Sequence, residues 1–231
     1  MKETIYTIPV TEAFEEDREC PLCFLETKLE NELVDQVLGA SLMEPDIRKQ
    51  TNDKGFCRKH FELIYNKQEN KLGLGLIINT HMAEQNKIIN NININNKNAA
   101  EKFIEYINGY ESKCYICERL DYTMNRYMEV MFYLYFNDSG FKQKFHGGKG
   151  FCLYHLKDIL KYTKKLDSKK AEVITGIIFQ KQIDNMERIQ EELDWFTKKF
   201  DYRYQDEPWE NSKDAIPRGI KKLKGPCRIK S

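Results

Sequence analysis

Apolar residues recur along most of this chain at helical spacing. Leu25, Leu29, Leu33 and Val37 fall every four residues, with Val34 and Leu38 beside them, which predicts an amphipathic helix. Gly39 and Pro45 are expected to end it. A short helix is predicted over 57–67 and a longer one over 71–90, with Leu72, Leu76 and Ile77 on its apolar side. The run 90–98, NNININNKN, reads as a loop or frayed end. Its Ile/Asn alternation has the period of a strand but no partner pattern elsewhere. Helices are predicted again over 99–110 and over 118–136, the latter rich in Tyr, Met and Phe. Ser139-Gly140 is expected to break it, leaving His146-Gly-Gly-Lys-Gly150 as a flexible approach to Phe151-Cys152. After a further short helix, Ser168 is placed to cap a long one reaching about Phe200, with a seam of Ile174, Ile178, Met186, Ile189, Leu193, Phe196 and Phe200. The tail shows turns at Pro208 and Pro217, a short helix near 211–216 and a basic end. No set of strands emerges, so the fold class is all-α.

The cysteines add a second periodicity. Cys20-Pro-Leu-Cys23 is followed by Gly55-Phe56-Cys57-Arg-Lys-His60, and Cys114-Tyr-Ile-Cys117 by Gly150-Phe151-Cys152-Leu-Tyr-His155. Both copies are C-x2-C followed by G-F-C-x2-H, and six of the seven cysteines fall into this register. The pattern reads as an internal duplication. It implies two tandem helical modules, 1–92 and 93–200, with a C-terminal tail from 201 to 231. Each copy supplies three sulfurs and one imidazole, the donor set of a closed structural zinc site. Two ligands separated by two residues can grip one ion from the first turn of a helix, and a second pair from a distant element completes the tetrahedron. If each pair opens a helix, the backbone N–H groups and the dipole help stabilise the thiolates. Gly55 and Gly150 suit a turn with unusual backbone angles, and Phe56 and Phe151 would roof the sites. The near-identical spacing favours closure within a module: Cys20, Cys23, Cys57 and His60 on one ion, Cys114, Cys117, Cys152 and His155 on the other.

Two zinc ions per chain are therefore expected. Buried reduced thiols, a redox dithiol and an iron–sulfur cluster are the competing readings of the same residues. A dithiol centre has no use for a C-x2-H at a fixed distance in both copies, so the first alternative to zinc is a thiol-based or iron–sulfur redox protein. An ordinary disulfide framework does not fit a chain that shows no secretory signal and no run of 18 apolar residues, which points to a cytoplasmic protein with no membrane span.

Composition changes the picture only by exclusion. The chain has 231 residues, with 37 Lys+Arg against 36 Asp+Glu, a formal charge of +1. Six thiolates and two divalent ions take that to −1, so no basic excess favours nucleic acid. The tail cations Arg218, Lys221, Lys222, Lys224, Arg228 and Lys230 could touch phosphates but read as a solvated end. His81 reads as a hydrogen-bonded helix residue rather than a catalytic base, His146 as a loop residue, and Cys227 as a free thiol in the tail. The Tyr/Met stretch 122–136 reads as helix packing ahead of a ligand groove. No phosphate loop, nucleophile elbow or H-E-x-x-H is present, so no catalytic constellation is indicated and the role expected is a binding or scaffold module for a protein or small-molecule partner.

Beyond these readings the chain resembles an uncharacterised bacterial family, domain of unknown function 6062. The resemblance rests on MKETIYTIPV, ECPLC, LMEPDIR, GFCRKHFELIYN, LGLGLIINTH, CYICERLDYTMNRY, GFCLYHL and WFTKKFDYRYQDEPWENSKDAIPRGI. It covers almost the whole chain and implies a bacterial, cytosolic origin, with no activity attached.

Overall fold

The computed structural model describes residues 4–39, 44–67, 69–92 and 97–227. These form helices α1 (Thr4–Glu15), α2 (Pro21–Leu38), α3 (Pro45–Lys54), α4 (Arg58–Lys67), α5 (Lys71–Asn90), α6 (Ala99–Glu111), α7 (Tyr115–Asn137), α8 (Ser139–Gly147), α9 (Leu153–Thr163), α10 (Ser168–Lys198) and α11 (Ala215–Lys224), with two 3-10 turns at Tyr202–Tyr204 and Glu210–Ser212. Among the described residues there is no strand, as the all-α reading expects, and no helix is long and apolar enough to cross a membrane. Residues 93–96 of the Asn-rich run, and Arg228 and Lys230 of the tail, lie outside the described residues.

The chain divides into two compact units, one of Met1–Thr27 with Met124–Ser231 and one of Lys28–Thr123. This differs from the division at 92/93 and 200/201 read from the repeat. The physical reason is helix length. The 18 residues of α2 span about 27 Å, against about 15 Å for the 10 residues of α3, so the two helices of this copy do not match in length. In the second copy α7 (23 residues) is likewise more than twice as long as α8 (9 residues).

In the unit containing both termini, α10 packs on α9 and α11, α11 also on α9, and α1 on α8. No element was expected at 4–15, yet Val10, Ala13 and Phe14 make a buried i, i+3, i+4 stripe despite Pro9 inside the helix. Phe14 packs with Phe141, Phe145 and Phe151 at ring separations of 4.9–6.4 Å. Most of the Tyr/Met stretch 122–136 is core rather than groove: Met124, Tyr127, Met128, Met131, Phe132 and Tyr135 are buried, while Tyr122 and Tyr133 are exposed. Ser139-Gly140 does not give a loop. The Asp138 carboxylate accepts from the Phe141 amide (2.9 Å) and starts α8, which places His146 in a helical last turn rather than in a loop. Asp167, not Ser168, caps α10, accepting from Lys170 N at 3.0 Å. The C-terminal helix runs over 215–224 instead of 211–216, because Pro217 sits in its first turn, where no N–H is needed.

The stretch after α10 is held by a buried cation. Lys199 Nζ donates to the carbonyls of Tyr204 (2.5 Å), Gln205 (2.9 Å) and Glu207 (2.5 Å) and lies 5.4 Å from the centre of the Trp209 ring. Trp195 Nε1 donates to Pro208 O at 3.0 Å. Carbonyls that no helix satisfies thus find donors in two side chains.

In the unit 28–123, α5 packs on α3 and α4, and Leu29, Leu33, Val34, Val37 and Leu38 of α2 are buried with Leu63, Ile64, Leu74 and Ile77. α2 ends at Leu38, just before Gly39, and Pro45, expected with Gly39 to end that helix, is also the first residue of α3, where its fixed φ and missing N–H fit. Gly55 ends α3 with φ 60°, and a Cβ there would stand 2.8 Å from His81 Nε2. His81 is structural, as its sequence context suggests: it is buried, with Nδ1 2.8 Å from Asn52 O and Nε2 3.2 Å from the Tyr110 hydroxyl.

Candidate metal centres

Each of the four ligand pairs opens a helix. Cys20, Cys57, Cys114 and Cys152 stand immediately before the first residues of α2, α4, α7 and α9, so the second residue of each pair lies in a first helical turn. Unpaired amides at such a terminus point at the sulfur: Cys117 N lies 3.5 Å from Cys114 Sγ, and His155 N 3.4 Å from Cys152 Sγ.

All eight predicted ligands meet in two groups of four, but the partners differ from those expected. Cys20 and Cys23 meet Cys152 and His155, and Cys57 and His60 meet Cys114 and Cys117. Closure within a copy is therefore wrong: each C-x2-C closes with the C-x2-H of the other copy. Equal spacing in the two copies fits either pairing, because both copies supply identical half-sites, and the lengths of α2 and α7 decide between them. Each group lies wholly within one compact unit.

The geometry suits one tetrahedral ion per group. Metal–sulfur legs of about 2.3 Å and metal–nitrogen legs of about 2.0 Å give S···S edges near 3.8 Å and S···N edges near 3.5 Å. His60 Nδ1 lies 3.2, 3.2 and 3.4 Å from the sulfurs of Cys57, Cys114 and Cys117, and Cys57 Sγ is 3.8 Å from Cys117 Sγ. His155 Nδ1 lies 3.6, 3.4 and 3.2 Å from Cys20, Cys23 and Cys152, and Cys23 Sγ is 3.4 Å from Cys152 Sγ. The four ligand atoms of each group lie within 4.8 Å of one another, so both groups can hold a metal ion.

Protonation supports the same use. Burial opposes the charged form of His60, yet the Cys114 thiolate and Glu30 push it up to about 9. The Cys114 thiol falls to about 6, burial again outweighed, through His60 and backbone amides. Cys117 is driven up by burial and by the sulfurs of Cys114 and Cys57. In the other group, neighbouring sulfurs push Cys23 up and pull Cys152 down, and His155 rises to about 12, against burial, beside Cys152, Cys20 and Glu26. Packed this closely, three sulfurs cannot all become thiolates unless a multivalent cation replaces their protons.

The outward nitrogens have their own partners. His60 Nε2–H donates to Glu30 Oε1 at 3.1 Å, and His155 Nε2 lies 3.2 Å from Glu26 Oε2. A carboxylate behind a ligating imidazole fixes its tautomer and raises its basicity. Both glutamates are buried on α2, and Lys59 Nζ approaches Glu30 at 2.6 Å. Neither glutamate stands out from the sequence motifs. Their signal was a pair of carboxylates at i and i+4, bordering the stripe of Leu25, Leu29 and Leu33. Glu30 is held down to about 2, His60 and Lys59 outweighing its burial. Replacing it by Gln should weaken the ion in this unit about tenfold while leaving the other unchanged, read by chelator competition.

A second buried side chain serves the group of Cys20, Cys23, Cys152 and His155. Lys222, expected in a solvated tail, is 1% exposed and donates from Nζ to Lys149 O (2.5 Å) and Glu19 O (3.1 Å), the residues leading into Gly150 and Cys20. Beside it Glu19 pairs with Arg188 at 2.6 Å, and Arg218, also expected in solvent, pairs with Glu192 and Asp214. In the other unit a backbone bond does the equivalent: Tyr115 N donates to Gly55 O at 3.0 Å. Gly150 has φ 76°, matching the positive φ of Gly55, so both glycines meet the turn requirement read from the sequence. His146, exposed on α8, lies with Nε2 3.2 Å from the Tyr135 hydroxyl, and Cys227 is a half-buried free thiol; neither joins a ligand group.

For metal-free protein His60 and Cys114 pull the pH dependence of stability in opposite directions. The raised value of His60 contributes stability in full below pH 6.5, and that contribution is lost as pH rises to about 9. Cys114, lowered to about 6, gives the opposite slope over the same window, because the folded state there lacks a thiol proton that the unfolded chain keeps. Thermal unfolding of the chelated protein should therefore show the unit 28–123 changing little between pH 6.5 and 9.

The profile of a family of unknown function (DUF6062) matches residues 1–230. No curated protein and no solved structure matches the chain.

Proposed function

Because the chain belongs to this family of unknown function, its role has to be argued from its own residues, and we propose that it is a cytoplasmic zinc protein whose two structural ions hold a helical binding or scaffold surface. The observation that carries the reading is the pair of Cys3His groups, each with its imidazole backed by a glutamate. Four protein ligands leave no position for a reacting water, which favours a structural over a catalytic ion. The S···S and S···N edges fit a single tetrahedral ion, and they are too short for ligands spread around a multi-iron cluster, which ranks zinc above the iron–sulfur alternative. Reduced thiolates at both sites suit a reducing compartment. The near-neutral charge supports a protein or small-molecule partner over nucleic acid.

Elemental analysis of purified protein should find about two zinc ions per chain, colourless in anaerobic preparations. Chelation should lower the unfolding temperature, since structural zinc contributes on the order of 10 kcal/mol of apparent binding free energy. Less than one ion per chain with freely titrating thiols would defeat the reading, and a brown, iron-containing protein would replace it with the redox alternative.

A further inference from the structure

The two groups differ in how well their sulfurs are covered. In the group of Cys20, Cys23, Cys152 and His155, Cys20 and Cys152 are 5% and 0% exposed, Cys23 alone is half-buried, and Phe151 next to Cys152 packs against Phe14 and Phe145. In the group of Cys57, His60, Cys114 and Cys117, two of three sulfurs, Cys57 and Cys117, belong to half-buried residues. A cavity of about 500 Å³ opens onto this second group, with Cys114 and Cys117 in its wall. Its other charged lining is Asp53, Glu118 and Asp121 against Lys54 and Lys113, with Lys54 and Glu118 paired at 2.6 Å. Three acids against two bases give an anion no attraction, whereas a small neutral molecule can enter.

We propose that Cys117 is an oxidation site, where a neutral peroxide entering this cavity converts the metal centre of the unit 28–123 into a disulfide and expels its ion. The inference rests on the metal-binding reading above. The Cys117 thiolate attacks one peroxide oxygen, the O–O bond breaks and hydroxide leaves, giving a sulfenic acid. A second thiolate of the site, Cys57 at 3.8 Å or Cys114, attacks that sulfur and displaces a second hydroxide. Two thiolates lose two electrons, the peroxide gains them, and both hydroxides take protons from solvent. The metal keeps its charge and departs as the divalent cation, because one thiolate and one imidazole do not retain it.

The test uses full-length Cys227→Ser protein, which leaves only the six ligand thiols, with its metal content measured first. Hydrogen peroxide is added in the presence of a chromogenic chelator, and oxidised cysteines are mapped by mass spectrometry. One of the two metal equivalents should be released about tenfold faster than the other, with the first disulfide at Cys117. A Ser112→Trp change, at an exposed cavity residue outside both groups, should slow only the fast phase while two ions stay bound. Two ions released at one rate, first oxidation at Cys20, Cys23 or Cys152, or a fast phase unaffected by Ser112→Trp in protein holding two ions would overturn the proposal. Fewer than two ions before peroxide would count against the metal-binding reading instead.

Discussion

A Cys57→Ala/Cys114→Ala double variant is expected to keep one tightly bound metal ion per chain, and a Cys20→Ala/Cys57→Ala variant to keep none under the same chelator challenge. In the first variant both substitutions fall on the group of Cys57, His60, Cys114 and Cys117, and the group of Cys20, Cys23, Cys152 and His155 is untouched. In the second, each group loses one thiolate. Closure within each sequence copy predicts the reverse, with the first variant damaging both sites and the second only one. The effect is large because a structural ion contributes on the order of 10 kcal/mol of apparent free energy, most of it dependent on a complete tetrahedron. Metal counting by elemental analysis, after dialysis against a mild chelator, reads the difference without any functional assay. Retention of one ion by Cys20→Ala/Cys57→Ala would refute the crossed pairing.

Lys222→Met is expected to destabilise the unit of Met1–Thr27 and Met124–Ser231 by about 2–4 kcal/mol and to loosen the ion held there. The ammonium is buried and supplies donors to Glu19 O and Lys149 O, while its charge lies 3.7 Å from the Glu19 carboxylate. Burial lowers its pKa, offset by Glu19 and Cys20, and the hydrogen bonds to the two carbonyls offset the cost of burying the side chain. Methionine fills similar volume and removes every one of these interactions, leaving two backbone carbonyls unpaired beside the ligand turns. Chelator competition should show the first ion leaving more readily and the ion on Cys57, His60, Cys114 and Cys117 unchanged. Equal weakening of both ions would mean that Lys222 acts on global stability rather than on the turns that deliver Cys20 and Cys152.

Much of this protein is legible in its residues. The period of Leu25, Leu29, Leu33 and Val37 gives α2, the bounds 71–90 match α5 although its buried face carries Leu74 and Ile77 while Leu72 and Leu76 are exposed, and the repeated C-x2-C and G-F-C-x2-H name all eight members of the two groups. Those features are local: helix period and ligand spacing are set within a few residues. The helix starts at Pro45, Ser139 and Ala215 are not legible locally, because proline and glycine both end helices and begin them; the Asp138 side chain caps the second, whereas Glu44 and Asp214 make no side-chain cap bond at the other two. Which half-sites close together, which carboxylates stand behind His60 and His155, and that Lys222 is buried between two ligand turns were all decided by the tertiary structure. The reason is that the two copies carry the same half-sites at the same spacing, so no local signal separates the pairings. The lengths of α2 and α7, set against the short helices that come after them, bring each C-x2-C to the other copy's C-x2-H.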